Sequence, residues 1–139
     1  MNNTEHVLES LRSKGFRITE TRKELIRILC DSRFPLDAAC LKEKLEELNI
    51  RADRTTIYRE IEFLKENGVA QELVFPDSVR RYEVAGRDHH HHLICQRCSA
   101  IEDVDIDESF LEKALASAKK KFTVLGHSLE FFGLCVKCR

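Results

Sequence analysis

The sequence predicts an α+β protein made of two small domains. Three observations carry that reading. Residues 4–66 place apolar side chains at helical spacing, with breaks after Gly15 and at Pro35. From Val69 onward the apolar runs become short and strand-like. The second half then opens on four consecutive histidines, His89 to His92, and carries two C-x-x-C pairs, Cys95/Cys98 and Cys135/Cys138.

The elements follow in order. Val7, Leu8 and Leu11 form one stripe of a first helix over 4–14, which Gly15 stops. Gly15 to Thr19 is a connector. Thr21-Arg22-Lys23-Glu24 has the form of a capping box and opens a second helix bearing Leu25, Ile26 and Leu29. Asp37 can cap a third helix, with Leu41, Leu45 and Leu48 at i, i+4 and i+7. Asp53 can cap a fourth, with Ile57, Ile61 and Leu64 at the same spacing, and Asn67-Gly68 ends it. Val69 to Phe75 and Val79 to Val84, around Pro76-Asp77-Ser78, read as a β-hairpin. Helices followed by a hairpin is the order of a winged helix-turn-helix, and also of many unrelated small α+β domains.

Ala85 to Asp88 reads as a hinge between a first domain, 1–84, and a second, 89–139. The second should hold strands at His89–Ile94 and Ala100–Ile106. A helix from Asp107 to Lys121 should bury Phe110, Leu111, Ala114, Leu115 and Ala118. A last strand at Phe122–Leu134, broken near Gly126, should follow. Lys119 to Lys121 suit the C-terminal end of that helix. A domain of about 55 residues has little core of its own and calls for a structural metal or a partner subunit.

Composition bounds the function. The chain is 42% hydrophobic and 34% charged, as expected of a folded globular protein. No apolar run approaches a membrane span. The N-terminus shows no signal-peptide pattern, so a cytoplasmic location is expected. The net charge is −1, and the first domain is also near neutral, so nucleic-acid binding must rest on local placement of Arg and Lys. No H-E-x-x-H or similar catalytic spacing occurs, and no enzyme activity is expected.

Two C-x-x-C pairs can close a four-thiolate site with no open position, which marks structural zinc, one Zn2+ per subunit. Thioredoxin-like chemistry is the rival, but it needs a C-x-x-C at a helix start. Cys30 and Cys40 lie on apolar helix faces and read as small core residues. On an extended segment, alternate histidines point to opposite faces. His90 and His92 would then serve one site, and His89 and His91 another. Imidazoles with carboxylates suit exchangeable Fe, Mn, Zn or Co. A solvated histidine loop, or a metal store, would carry the same residues. On the fourth helix, Arg54, Thr55, Tyr58 and Arg59 are exposed if Ile57 and Ile61 face the core. Such a segment can contact phosphates and base edges, or can simply be a solvated polar face.

Taken together, Gly15 to Arg22, Thr55 to Arg59, His89 to Cys95 with Cys98, His127-Ser128-Leu129 and Cys135-x-x-Cys138 resemble the ferric uptake regulator family of bacterial metal-dependent repressors, over essentially the whole chain. The resemblance implies a winged-helix DNA-binding domain joined to a small α/β dimerisation domain. It implies a homodimer, with a tetramer as the alternative, and an A·T-rich palindromic DNA operator. It implies a regulatory divalent metal, Fe2+ or Mn2+ ahead of Zn2+, at the hinge on Glu83, His90, His92 and Asp103. A second family site would use His89, His91 and His127. Its usual carboxylate falls at Phe110, so Glu108 or Glu112 must substitute. Tyr58 and Arg59 match DNA-contact positions, and Arg17 matches a basic residue inserted in the minor groove. One departure stands out. Many members supply a further histidine near the third helix, where this chain has Pro35, so Asp37 or water would have to complete the shell. Iron-, peroxide- and zinc-sensing branches all remain open.

Overall fold

The computed structural model describes residues 3–86, 90–124, 127 and 129–139. His89, the hinge positions Arg87 and Asp88, and the strand break at Gly126 lie outside the described residues. The chain is a mixture of helix and sheet that divides into two compact units, Met1–Arg87 and Asp88–Arg139.

The first unit begins with helices α1 (Asn3–Ser13) and α2 (Glu20–Asp31). The α2 cap is Thr19, whose hydroxyl accepts from the Arg22 N–H at 3.2 Å. This corrects the expected capping box at Thr21. Thr19 is the residue with extended backbone at that point, and Thr21 already lies in the first helical turn. A two-residue strand, β1 (Leu36–Asp37), precedes α3 (Ala38–Glu47) and α4 (Arg54–Glu66). Asp37 caps α3 through the Cys40 N–H at 2.8 Å, and Asp53 caps α4 through the Thr56 N–H at 2.7 Å. Gly68, at φ +69°, follows α4, and Val69 N–H bonds back to the Leu64 carbonyl.

Strands β2 (Ala70–Val74) and β3 (Arg80–Val84) form the expected hairpin. β1 adds to β3, giving an antiparallel sheet in the order β1-β3-β2. The core is continuous. Leu25, Ile26, Leu41, Leu45 and Leu64 are fully buried, with Leu8, Leu11, Ile57, Ile61 and Tyr82 packed beside them. Cys30 lies against this core, and burial raises its thiol above the ordinary range, as it does for Cys40.

The second unit has strands β4 (His91–Cys95), β5 (Ile101–Val104) and β6 (Glu130–Gly133), with α5 (Ser109–Leu115) between β5 and β6. The sheet order is β5-β4-β6. β4 runs antiparallel to β5 and parallel to β6. The expected helix over 107–121 is shorter, being α5 followed by one 3-10 turn at Ala118–Lys120. It has no buried residues. Phe110, Ala114 and Ala118 are exposed, while Leu111 and Leu115 are half-buried. Among the described residues its apolar stripe is only partly covered, and a helix this short gains little without a surface to pack on. The last strand is likewise confined to four residues.

Candidate metal centres and nucleic-acid interface

The parallel pairing of β4 with β6 brings the four cysteines together. Cys95 lies opposite Gly133, so both strands leave the sheet at the same end. Cys95/Cys98 and Cys135/Cys138 follow immediately, and their sulfurs all lie within 4.8 Å of one another. Each pair closes on a tight turn, with the Ser99 N–H bonded to the Cys95 carbonyl and the Cys138 N–H to the Cys135 carbonyl. A tetrahedral Zn–S bond of about 2.3 Å places sulfurs about 3.8 Å apart. The Cys98 and Cys135 sulfurs are 3.7 Å apart. The N–H of Cys135, then that of Cys98, holds the Cys95 thiol down to about 6. Its neighbours, Cys135 first, push the Cys138 thiol up to about 12. Four sulfurs this close cannot all ionise without a cation among them. The donor set fits zinc. Arg97 adds a tie that the spacing alone does not reveal, donating to the Cys138 carbonyl at 2.7 Å.

The opposite end of β4 carries the imidazoles. His91 and His92 are both buried. His90 and His92 stack edge to face with ring centres 4.8 Å apart, and His91 lies instead beside His127, at 5.7 Å. Alternate histidines therefore lie in different groups. Asp103 on β5 is the register partner of His92, and its Oδ1 is 3.9 Å from His92 Nε2. Glu83 lies near the end of β3, buried, and accepts from Gln71 Nε2 at 2.6 Å.

The second cluster is His91, Glu108 and His127. His91 Nδ1 donates to the Leu129 carbonyl at 2.9 Å, and its Nε2 faces the Glu108 carboxylate. A ring nitrogen and a carboxylate held face to face need a proton or a cation between them. His127 Nε2 meets the same Glu108 oxygen at 2.9 Å. Of the two candidate carboxylates, the structure brings in Glu108 and not Glu112. α5 starts one residue after Glu108, whose side chain makes no helix cap, while Glu112 is exposed and pairs with Lys119 at 3.1 Å. The Leu129 carbonyl is a partner that residue type could not reveal.

Asp37, considered as a substitute ligand near Pro35, spends its carboxylate on the α3 cap. Pro35 itself is buried.

On the first unit, Arg54, Thr55 and Arg59 are exposed on α4 and Tyr58 is half-buried, because Ile57 and Ile61 take the core side. The Arg54 guanidinium lies 5.6 Å from the Tyr58 ring centre. Arg17 is exposed on the connector before α2.

The sequence profile of the ferric uptake regulator family matches residues 13–132. The chain belongs to the ferric uptake regulator family. Among similar members of the family is the ferric uptake regulation protein of Bacillus subtilis, 31% identical over 147 aligned residues that span 99% of this chain and 95% of that protein. The peroxide-responsive repressor PerR of Staphylococcus aureus is 31% identical over 139 residues, spanning 97% of this chain and 93% of that protein. The fold is similar to that of the Helicobacter pylori ferric uptake regulator, with a TM-score of 0.79 at 24% identity, covering 96% of this chain and 89% of the other.

Proposed function

We propose that this member of the ferric uptake regulator family is a homodimeric, metal-responsive transcriptional repressor. Residues 1–84 act as a winged helix-turn-helix, with α4 entering the major groove of an A·T-rich palindrome. Arg54, Thr55, Tyr58 and Arg59 contact DNA there, and Arg17 reaches the minor groove. Residues 89–139 dimerise, and the exposed apolar side chains of Phe110, Phe122, Phe131 and Phe132 support that role. A structural Zn2+ belongs to Cys95, Cys98, Cys135 and Cys138. A regulatory divalent ion, Fe2+ or Mn2+ ahead of Zn2+, belongs to Glu83, His90, His92 and Asp103. His91, Glu108 and His127 form a further metal site.

The observation that carries this reading is the division of donors along β4 in a member of this family. Soft thiolates close a permanent site at one end, and mixed imidazole and carboxylate groups suit an exchangeable ion at the other. A divalent ion supplies charge and fixed coordination angles. The protein responds because its ligands reach their bound arrangement in only some of its conformations, so occupancy shifts the population that binds DNA.

The test is a DNA-binding isotherm before and after mild chelation that spares the thiolate zinc. Affinity for an A·T-rich palindrome should fall roughly 10- to 100-fold, as coupling of this kind typically gives. His90→Ala should reproduce the loss while keeping the fold and the zinc. Unchanged affinity in both cases rejects the metal switch. A second reading, peroxide sensing, draws on the equal identity to a peroxide-responsive repressor. It predicts a mass gain of about 16 Da on a ligand such as His90 after peroxide, with Fe2+ bound but not with Mn2+.

A further inference from the structure

Arg22 touches more of the first unit than any role in helix capping requires. It sits in the opening turn of α2 with its side chain only 14% exposed. Its Nε and Nη2 donate to the two oxygens of Glu60 on α4, at 2.8 and 3.1 Å. Its Nη1 donates to the carbonyl of Arg17 at 2.8 Å. Its guanidinium also lies over the Phe63 ring, 3.6 Å from the centre. Phe16 meets the same ring edge-on, with centres 4.9 Å apart and planes at 86°. One planar cation therefore joins three parts of the unit. These are the start of α2, the connector that carries Arg17, and the α4 turn that follows Tyr58 and Arg59.

The geometry suits arginine alone. A carboxylate fork, a carbonyl and an aromatic face are all satisfied at once by a planar group with five N–H donors. A lysine ammonium can meet only part of that set. The main chain of Arg17 is held by this grip while its side chain remains exposed. Gly15, at φ +85°, turns the chain out of α1, and the Phe16 N–H bond to the Leu11 carbonyl and the Phe16 ring on Phe63 hold the connector beside the Arg22 grip. What the arrangement fixes is the position of the Arg17 main chain relative to α4, and with it the point from which the Arg17 side chain extends.

We propose that Arg22 is a positioning residue for DNA recognition, which locks the Arg17 connector onto α4 and so couples the minor-groove contact to the major-groove one. The proposal rests on the reading of Arg17, Tyr58 and Arg59 as DNA contacts. Its consequence is specificity. With the connector locked, a duplex with A·T pairs at the flank and the correct major-groove sequence gains both contacts together. With the connector loose, the flank contact must be ordered on binding, and the preference for the A·T flank fades.

The experiment uses the full-length, metal-loaded protein and two duplexes. One is selected by the wild-type protein from a random-sequence pool. The other is identical except that the flanking A·T pairs are replaced by G·C. The ratio of the two affinities is the readout, measured for wild type, Arg17→Ala, Arg22→Lys and Glu60→Gln. The wild-type protein should prefer the A·T flank by about tenfold, the size of one good groove contact. Arg17→Ala should bring the ratio near one. Arg22→Lys and Glu60→Gln should also bring it near one although Arg17 is intact.

A purely structural role would lower the melting temperature and weaken binding to both duplexes alike, keeping the ratio; that result in either folded variant overturns the proposal. If Arg22→Lys does not fold, judged by circular dichroism, Glu60→Gln decides alone. An unchanged ratio in Arg17→Ala would instead overturn the minor-groove reading on which the proposal stands.

Discussion

The two units hold themselves together by different physics. The first buries Leu and Ile side chains from four helices against Tyr82 of the sheet, a continuous apolar core. In the second, Ile94 and Cys95 are the buried apolar side chains among the described residues, and His91 and His92 are buried beside them. Phe110, Phe122, Phe131, Phe132 and Leu134 remain exposed in the single chain. Hydrophobic burial therefore accounts for the first unit and falls short for the second. The lesson is a division of labour. On the proposed function, the self-sufficient unit carries the DNA-reading surface, and the unit that leans on ions and a partner makes that surface answer to metal.

The largest break in this contrast should come from Cys98→Ser. Structural zinc contributes about 10–16 kcal/mol of apparent binding energy in small domains that fold around it. The variant should lose zinc and dimerisation, while the helical signal of the first unit persists. Zinc stoichiometry, sedimentation and circular dichroism check this together, and a zinc-loaded dimer would refute the structural role.

Leu64→Ala tests the other side of the contrast. Leu64 is fully buried, so truncation should cost the first unit about 2–5 kcal/mol. Chemical denaturation should show a lowered helical transition, with zinc content unchanged. Loss of zinc in this variant would mean that the two units do not fold independently.

The smallest effect concerns acid. The Thr56 N–H holds the Asp53 carboxyl below its usual range. A depressed folded value means that the charged cap stabilises above the unfolded carboxyl range and that this stabilisation fades as pH falls through the folded value. Asp53→Asn should therefore flatten the acid side of the first unit's stability profile, below about pH 4. Thermal melts across that range measure it, and an unaltered slope would remove the charge from the account.

Much of this was legible locally. The caps at Asp37 and Asp53 and the core stripes of α1 to α4 depend on residues within a turn or two of each other, so spacing reveals them. Spacing does not single out the Thr19 cap, because two threonines compete two residues apart, and only the backbone conformation chooses between them. β1 is invisible to periodicity because two residues carry no period, and the pairing of Leu36 with Tyr82 is nonlocal. The helix over 107–121 is shorter than its apolar stripe suggests, because a stripe shows what could be buried, not how much surface exists to bury it.

By itself, the sequence determined the donor types, their spacing and the alternation that sends His90 and His92 one way and His91 the other. Those follow from the fixed geometry of turns and strands. Only the tertiary structure decided that Glu108, rather than Glu112, meets His91, that the Leu129 carbonyl sets its tautomer, and that Arg22 joins Arg17 to Glu60 and Phe63. Those choices depend on strand register and helix packing between residues far apart in the chain, and local periodicity does not encode them.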